Sequence, residues 1–427
     1  DNKQHKLIRN IMEKNVTIMP SDKTKRLIAL SNESYSDMVS RSLNSDDKVC
    51  QPGLPTTVQN KFNKKIDIIA GFYSGMSIHK KLISCKVSEP LPSYAYSLPK
   101  DHKVGPLKGR PIIASCNSVV RPLSNLIVET LNPLIKKHVP AHLSSTTEFI
   151  QSLQNFERPN DFIFGSLDVV NLYGSIPLDD SGDNKGLITI VTDFFTIHRK
   201  ESIMKEIHPL DFEELLRLCL FEDCYIIDGM MKRQAKGIAM GNSAAPPLAI
   251  IFMNHIESII RNLCPQFLYW KRYIDDIFFI CTNNIDTNSI LETVNSVNEH
   301  IQFTIANPTD DSIPFLDTTV TLNKDTFQHS LYVKPNHSGT CLTFDSHVPL
   351  NRKRNLIYNE LIRAERNSTD ETVKGSTSTV LSRLERNEYP QSLIQDVVKY
   401  KNKRKLSSQT EKQIPITYLK IPYFDSN

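Results

Sequence analysis

Three apolar segments of the chain predict β-strands, and each has polar residues at one end or at a turn. Residues 162–168 are mostly apolar and end at an aspartate, Asp168. Residues 272–280 are also mostly apolar but hold two adjacent aspartates, Asp275 and Asp276, which suits two strands joined at a hairpin tip. Residues 225–231 contain Asp228-Gly229, a strong signal for a two-residue hairpin turn.

Longer segments with helical spacing of apolar residues predict helices. They cover residues 122–138, 211–221 and 248–263, and the last follows Pro246 and Pro247, which suit a helix start. The Ser-Ser-Thr-Thr-Glu run at 144–148 precedes an apolar pair and predicts another helix start. Polar stretches at 181–185 and 367–379 are predicted to be loops. No internal repeat or low-complexity block interrupts this order.

The adjacent aspartates are the most informative chemical feature of the chain. Burying paired negative charge in a β-forming segment is costly unless something offsets it. Carboxylate oxygens suit Mg²⁺, which leaves coordination positions for substrate phosphates. A two-metal site needs carboxylates from separate strands, and Asp168 could meet Asp275 on a neighbouring strand. The alternatives without a catalytic role are an Asp-Asp turn between strands and, for Asp168, a strand-end cap or Asx-turn.

A glycine-containing loop lies between these two strands in the sequence. Gln234 begins it, and Gly237 and Gly241 stand four residues apart, which would let the backbone approach a base pair or ribose closely. An ordinary strand–loop–helix connection is the alternative. The order of strand with Asp168, glycine loop with helix, and Asp-Asp hairpin is typical of the palm of a template-directed polymerase.

The chain resembles reverse transcriptases, and most closely those of Penelope-like retroelements. The resemblance covers nearly the whole chain. It rests on the three palm motifs and on further runs: Met19-Pro20-Ser21-Asp22-Lys23-Thr24-Lys25-Arg26 with Tyr35 downstream, Leu98-Pro99-Lys100-Asp101-His102-Lys103, Gly109-Arg110-Pro111-Ile112-Ile113, Ile301-Gln302-Phe303-Thr304, Ile313-Pro314-Phe315-Leu316-Asp317 and Asn387-Glu388-Tyr389-Pro390. Telomerases and group II intron enzymes share the palm motifs but lack the combination of LPK-x-HK with PFLD.

The resemblance implies an α+β right-hand polymerase fold. Residues 1–160 would form the fingers and the start of the palm. Residues 161–322 would form the rest of the palm, an antiparallel sheet backed by helices. Residues 323–427 would form a helical thumb and the start of a C-terminal connector. The implied activity is RNA-directed DNA synthesis by a retrotransposon enzyme, with an RNA template, a DNA primer, dNTPs and two Mg²⁺ ions (Mn²⁺ being possible), in the service of DNA integration.

The resemblance also implies roles for individual residues. Asp168 and Asp275 would hold the metal ions together with the Val169 carbonyl, and Asp276 would support them. The residues expected to bind substrate are Lys23, Arg26, Arg110, Tyr173, Gln234, Gly237 and Gly241. Tyr173 would act as an aromatic gate against the ribose 2′-hydroxyl, although a core tyrosine is its alternative. Nucleic acid would contact Tyr273, Lys403, Arg404 and Lys405, and His300 is the candidate general acid.

The chain departs from the family pattern at several positions. Residues 242–245 read Asn-Ser-Ala-Ala where the family has Ser-Pro-Leu-Ser, and Asn336 stands where threonine is common. Residues 346–349 only approximate S-x-H-P, and Glu388 replaces the glycine of N-G-Y-P. None of these changes removes a predicted metal ligand. They leave open a catalytically weak nucleic-acid-binding remnant, and another palm-fold enzyme such as an RNA-dependent RNA polymerase is the other alternative.

Composition and charge agree with this interpretation. The chain has 427 residues, enough for several cores, and its eight cysteines include no Cys-x-x-Cys pair that would favour zinc or a disulfide framework. Residues 351–427 carry 15 Lys+Arg against 9 Asp+Glu, which suits a nucleic-acid-gripping thumb or, alternatively, a solvated helix face. The basic run at 401–405 and the resemblance predict a nuclear, intracellular protein. No membrane-spanning segment is expected. The chain starts at Asp1 rather than at methionine, and we expect it to be part of a longer protein.

Overall fold

The computed structural model divides the chain into two compact units. One unit comprises Asp1–Gln328 and Tyr332–Ser338, and the other comprises His329–Leu331 and Gly339–Asn427. The structure describes residues 15–22, 26–43, 48–49, 55–101, 107–227, 230–234, 236–282, 286–324, 326–335 and 337–407. Lys23, the Asp228-Gly229 turn, Asn336 and the side chain of Lys405 lie outside the described residues.

The described residues of the first unit form four sheets and the helices between them. Its strands are β1 (Val16–Pro20), β2 (Leu27–Ser31), β3 (Lys48–Val49), β4 (Ser93–Pro99), β5 (Gly109–Ala114), β6 (Phe162–Val169), β7 (Cys224–Ile227), β8 (Met230–Arg233), β9 (Phe267–Tyr273), β10 (Asp276–Thr282), β11 (Phe303–Ala306), β12 (Ser312–Phe315), β13 (Thr318–Asn323) and the first half of β14 (Thr326–Leu331). Its helices are α1 (Asn32–Ser42), α2 (Pro55–Phe72), α3 (Ser77–Ile83), α4 (Arg121–His138), α5 (Thr146–Gln154), α6 (Leu172–Ser175), α7 (Leu187–His198), α8 (Pro209–Phe221), α9 (Ala245–Leu263) and α10 (Thr287–Ser296), with a 3-10 turn at Arg199–Glu201.

The strands pair in the orders β1-β2, β11-β6-β10-β9, β12-β13-β14 and β3-β8-β7-β4-β5. The second of these, which we call the central sheet, is antiparallel throughout. In the five-stranded sheet, only the contact between β4 and β7 is parallel. The combination of helices with mainly antiparallel sheets confirms the predicted α+β class.

The central sheet is buried on both faces, which explains why β10 is apolar without alternation. Ile277, Phe279 and Cys281 belong to the main core, which includes most helices of the unit. Phe278 and Ile280 point to a second core. That core is completed by residues of α5 and of β12 and β13, namely Phe149, Ile150, Leu153, Ile313, Phe315 and Val320. A strand covered on two sides is generally apolar at successive positions, and the charged residue of β10, Asp276, is at its end.

The predicted helices form within a few residues of their expected limits. α9 starts at Ala245 and includes both prolines in its first turn, where the missing N–H groups would have no helical partner. α5 is capped by Ser145, whose hydroxyl accepts the N–H of Glu148 at 3.2 Å. Residues 122–138 and 211–221 fall within α4 and α8. No described helix has the length and apolar character needed to cross a membrane.

The described residues of the second unit form three helices, α11 (Leu350–Arg366), α12 (Val373–Arg386) and α13 (Gln391–Ser407). Their apolar core consists of Ile357, Leu361, Ala364, Val380, Leu384, Tyr389, Leu393, Ile394 and Val397. The prediction of a loop over residues 367–379 was wrong, because α12 begins at Val373. Ser376, Val380 and Leu384 are buried at four-residue spacing, and the small polar residues between them concealed this stripe.

Asn387 and Glu388 end helix α12. The Asn387 side chain donates to the Gly339 carbonyl at 2.9 Å and accepts the Cys341 N–H at 3.0 Å. Glu388 follows in the left-handed region with a φ of 65°. This is the position after a helix end where glycine is strongly favoured, so Glu388 holds a strained conformation there.

Candidate active site

Three carboxylates lie at one end of the central sheet. Asp168 is the penultimate residue of β6 and is directly opposite Asp276, the first residue of β10. Asp275 precedes Asp276 in the hairpin loop, and its carbonyl accepts the Val169 N–H at 3.1 Å. Like charges directly opposite each other destabilise a sheet, so this arrangement favours a bound cation.

The hairpin that carries Asp275 is a two-residue loop with an unusual conformation. Tyr273 pairs with Asp276, which leaves Ile274 and Asp275 as the loop. Ile274 has a φ of 58°, in the left-handed region that β-branched residues avoid. The favoured two-residue hairpin turns need this conformation at their first loop residue and normally use Gly, Asn or Asp there. The side chain of Ile274 packs against the main core, and this contact helps to hold the loop in its conformation.

Asp168 and Asp275 open into a cleft of ≈ 700 Å³, which is within the size range of small-molecule binding sites. Three parts of the first unit line it. The β4–β5 hairpin supplies Lys100, Gly109, Arg110, Pro111 and Ile113; the central sheet and α6 supply Asp168, Val169, Val170, Asn171, Leu172, Tyr173, Gly174, Ile274, Asp275 and Thr304; and the glycine loop supplies Gln234, Ile238 and Met240. Ser42 and Leu43 complete the lining.

Tyr173 is held at the floor of the cleft by its backbone and by burial. Its carbonyl accepts the Ile238 N–H at 2.7 Å. Burial, followed by the negative charge of Asp275, raises the pKa of its phenol to about 12, although the positive charge of Arg110 acts in the opposite direction. The side chain is therefore protonated and neutral near pH 7. The charges of Asp275, a predicted metal ligand, and of Arg110, a predicted triphosphate ligand, both act on it.

Gly237 and Gly241 each lie close to protein backbone. Gly237 has a φ of +72°, and a Cβ there would lie 2.4 Å from the Tyr173 carbonyl oxygen. Gly241 has a φ of +134°, and a Cβ there would lie 2.0 Å from the Ile113 carbonyl oxygen. Close approach to protein backbone therefore accounts for a glycine at both positions, and the predicted approach to a base pair or ribose stays a prediction.

Comparison with known proteins gives a family match over the same residues. Residues 98–307 match the family model described as reverse transcriptase (RNA-dependent DNA polymerase), and this range includes the β4–β5 hairpin, the three carboxylates and the glycine loop. The chain carries a reverse transcriptase domain. It is accordingly an enzyme, an RNA-directed DNA polymerase of the nucleotidyltransferase class.

Solved structures show that the reverse transcriptase domain belongs to a larger polymerase fold. The telomerase of Candida albicans with a TWJ fragment of telomeric RNA has a TM-score of 0.57 at 11% identity, covering 95% of this chain and 70% of that chain. Apo telomerase of Candida tropicalis has a TM-score of 0.54 at 12% identity, covering 93% of this chain and 67% of that chain. The Candida tropicalis telomerase with a TWJ fragment of telomeric RNA has a TM-score of 0.54 at 12% identity, covering 94% of this chain and 63% of that chain. These matches confirm the predicted right-hand polymerase fold.

Two further comparisons complete these findings. Residues 340–399 of the second unit match the family model described as an animal helix-turn-helix domain, which spans α11, α12 and half of α13. The search of curated proteins gives no match.

Most predicted site residues of the reverse transcriptase domain meet in the cleft. Asp168, Val169, Asp275, Arg110, Tyr173 and Gln234 all line it. Asp276 lies beside it in the sheet, and Tyr273 is 39% exposed at the start of the hairpin. Arg26 is exposed at the start of β2. His300 lies in the loop before β11, where its imidazole is 3.5 Å from the Glu299 carboxylate, and it is not among the residues that line the cleft.

Sequence reasoning missed two neighbours of Arg110. Lys100 lines the cleft on the preceding strand end, and its place in the LPK-x-HK motif was the available signal. Asp22 forms an ion pair with Arg110, with 3.0 Å between its Oδ2 and the guanidinium Nε. Asp22 is only 10% exposed, so the pair fixes the position of the arginine head at the cleft.

Proposed function

We propose that this chain is the reverse transcriptase of a Penelope-like retrotransposon, which extends a DNA primer on an RNA template by two-metal catalysis. The LPK-x-HK and PFLD runs support the Penelope-like assignment. The observation that carries the catalytic proposal is the position of Asp168 and Asp275 at one end of the central sheet, inside a cleft that also holds Arg110 and Tyr173.

The donor set suits Mg²⁺ better than a structural metal. In the described part of the chain, no three ligating side chains converge on one point. Magnesium is commonly bound through one or two carboxylates, with water and substrate phosphates completing the shell. Asp168, Asp275 and the Val169 carbonyl would serve as that partial set. Two bound ions would activate the primer 3′-hydroxyl and neutralise charge on the departing pyrophosphate.

The remaining cleft residues would position the nucleotide. Arg110, held by Asp22, would bind triphosphate oxygens through its forked donors, and Lys100 would add a second positive charge. Tyr173 would contact the sugar and exclude a 2′-hydroxyl. Gln234 has a buried carbonyl oxygen with no hydrogen-bond partner among the described residues, which makes it a candidate contact for the substrate. Lys23 and Arg26 stay proposed triphosphate ligands, as Gly237 and Gly241 stay proposed substrate contacts.

Nucleic acid would be bound outside the cleft as well. Tyr273 would contact the primer end beside the hairpin. Lys403 and Arg404 are exposed near the end of α13, whereas Lys401 is buried and paired with Glu365. We assign Lys403, Arg404 and Lys405 to binding the phosphate backbone of the nucleic acid. His300 stays the proposed general acid, and the nuclear location expected of a retroelement enzyme belongs to the same proposal.

Primer extension with four substrate combinations tests this proposal. RNA and DNA templates of identical sequence would each be supplied with dNTPs or with NTPs, in the presence of Mg²⁺. We expect extension on the RNA template with dNTPs and much slower extension with NTPs. Preference for NTPs would indicate an RNA polymerase, and template binding without any extension would indicate a nucleic-acid-binding remnant.

A further inference from the structure

A completely buried ion pair lies behind the hairpin that carries Asp275. Arg272 is in β9 and Glu257 is in α9, and both side chains are 0% exposed. The guanidinium binds the carboxylate in a two-point manner, with Nε–Oε1 at 2.6 Å and Nη2–Oε2 at 3.2 Å. The charges are therefore matched, and the geometry is the strong forked type that arginine makes with a carboxylate.

The other donors of Arg272 bind backbone. Its Nη1 donates to the Ile274 carbonyl at 3.1 Å, and its Nη2 donates to the Ile250 carbonyl at 3.1 Å. Glu257 Oε1 also accepts the Trp270 indole N–H at 2.9 Å. One network thus ties α9 and β9 to the carbonyl of the strained loop residue.

The loop needs such an anchor. Ile274 is β-branched and has a φ of 58°, so its conformation persists only where surrounding contacts hold it. Asp275 follows directly, and the 3.1 Å bond from the Val169 N–H to the Asp275 carbonyl joins the loop to β6. Any change in the conformation of Ile274 would move the Asp275 carboxylate relative to Asp168.

A buried ion pair is poor evidence for stability alone. Taking two charges out of water is costly, and apolar side chains of similar volume often give equal or greater stability. We propose that the Arg272–Glu257 pair is a positioning device, which fixes the Ile274–Asp275 loop and so sets Asp275 against Asp168. The inference rests on the proposed function in that Asp275 is taken as a metal ligand. Neither residue lines the cleft, so they act through the loop.

The test replaces both members of the pair, with Arg272→Met and Glu257→Met in one protein. A single replacement would leave an unpaired buried charge, which destabilises the protein whether or not the pair positions the loop. The first measurement is hydrogen exchange of the Val169 amide in metal-free protein, followed against amides deeper in β6 and β10. We expect faster exchange at Val169 with little change in the deeper amides or in thermal unfolding.

The second measurement is the Mg²⁺ dependence of primer extension. We expect the Mg²⁺ concentration for half-maximal rate to rise by about 10–100-fold, the usual effect of losing a residue that orients a metal ligand. Primer–template affinity should not change. Arg272→Lys is a second variant that keeps the charge but cannot reach both Glu257 and the Ile274 carbonyl, and it should show the same local loosening with a smaller shift in the Mg²⁺ requirement.

Asp223→Asn is the matched control. Asp223 is another buried carboxylate of the first unit, and it accepts the hydroxyls of Ser93 and Ser115 at 2.8 Å. It lies outside the residues that line the cleft, so its loss should alter thermal unfolding without altering exchange at Val169 or the Mg²⁺ requirement.

Two outcomes would separate this inference from the proposed function. If the double variant exchanges Val169 slowly and needs no additional Mg²⁺, while Asp275→Asn abolishes extension, the positioning role is overturned and the metal assignment stands. If Asp275→Asn extends primers normally, the metal assignment fails. In that case the exchange measurement, which uses no metal, still decides whether the pair anchors the loop.

Discussion

Tyr173 combines a fixed backbone with a side chain that carries no charge under working conditions. The hydrogen bond from the Ile238 N–H holds its carbonyl, and burial, reinforced by Asp275, raises its pKa to about 12. The phenol therefore stays protonated at every pH at which a polymerase is assayed. Its contribution to nucleotide choice should come from shape and be independent of pH.

Replacing Tyr173 with valine should increase ribonucleotide use relative to deoxynucleotide use, because a smaller side chain leaves room for the 2′-hydroxyl. The measurement is the ratio of kcat/KM for a dNTP to that for the matching NTP on one RNA template. Tyr173→Phe is the control and should keep the wild-type ratio between pH 6 and 9. An unchanged ratio in the valine variant would make Tyr173 a packing residue only.

Single residues differ in how far the sequence could predict them. The positions of Asp168 and Asp275 beside each other at one end of a sheet were predictable, because a charge in an apolar strand segment is informative by itself. The sequence also shows Arg272 in an apolar strand, but its partner Glu257 is on a helix and no local pattern links the two. The same limit applies to Asp22 and Arg110, whose pairing depends on how β1 and β5 are brought together.

At the scale of elements, the end of α12 offers a test of backbone strain. Glu388→Gly should stabilise the second unit by up to about 1 kcal/mol. A left-handed conformation costs a residue with a Cβ roughly 1–2 kcal/mol, and part of this gain is offset by the greater freedom of glycine in the unfolded chain. Calorimetric unfolding of the full chain would measure the change.

A glycine placed inside the same helix provides the opposite expectation. Ser378 is exposed in the middle of α12, and Ser378→Gly should lower the stability of the second unit, because glycine is a poor helix former. If Glu388→Gly instead lowered the stability of the second unit, the inference that Glu388 is strained would be wrong.

The elements were predicted well where apolar spacing was regular and poorly where it was not. β10 and α9 have long apolar runs, and both formed as expected. α12 was missed, because Ser and Thr at most of its early positions resemble a loop while Ser376 fills a buried position. The Ser376 hydroxyl accepts the Leu331 N–H at 3.0 Å, a hydrogen bond that no local pattern predicts.

For the whole molecule, uneven charge predicts how the protein holds nucleic acid. Residues 351–427 are basic, with 15 Lys+Arg against 9 Asp+Glu. Neutralising Lys403, Arg404 and Lys405 to glutamine should weaken primer–template binding. It should also reduce the salt dependence of binding by about 0.9 in log–log slope for each phosphate that the variant no longer neutralises. Titrations at several salt concentrations would measure both effects.

The control neutralises Lys200 and Lys205, two exposed lysines of the first unit. Their replacement by glutamine should leave the salt slope close to that of the wild type. A triple variant with an unchanged slope would show that the basic run at 403–405 does not bind phosphate.

Single-turnover addition of one dNTP to a primer on an RNA template, in saturating Mg²⁺, tests the central claim most directly. We predict that Asp168→Asn and Asp275→Asn each lower the rate by more than the roughly 100-fold that loss of an outer-shell partner can cause. Asp276→Asn should have a smaller effect, and Asp223→Asn should extend at close to the wild-type rate. Thermal unfolding and primer–template affinity of the first two variants should stay near those of the wild type. Extension by either of them at a near-wild-type rate would contradict the two-metal assignment.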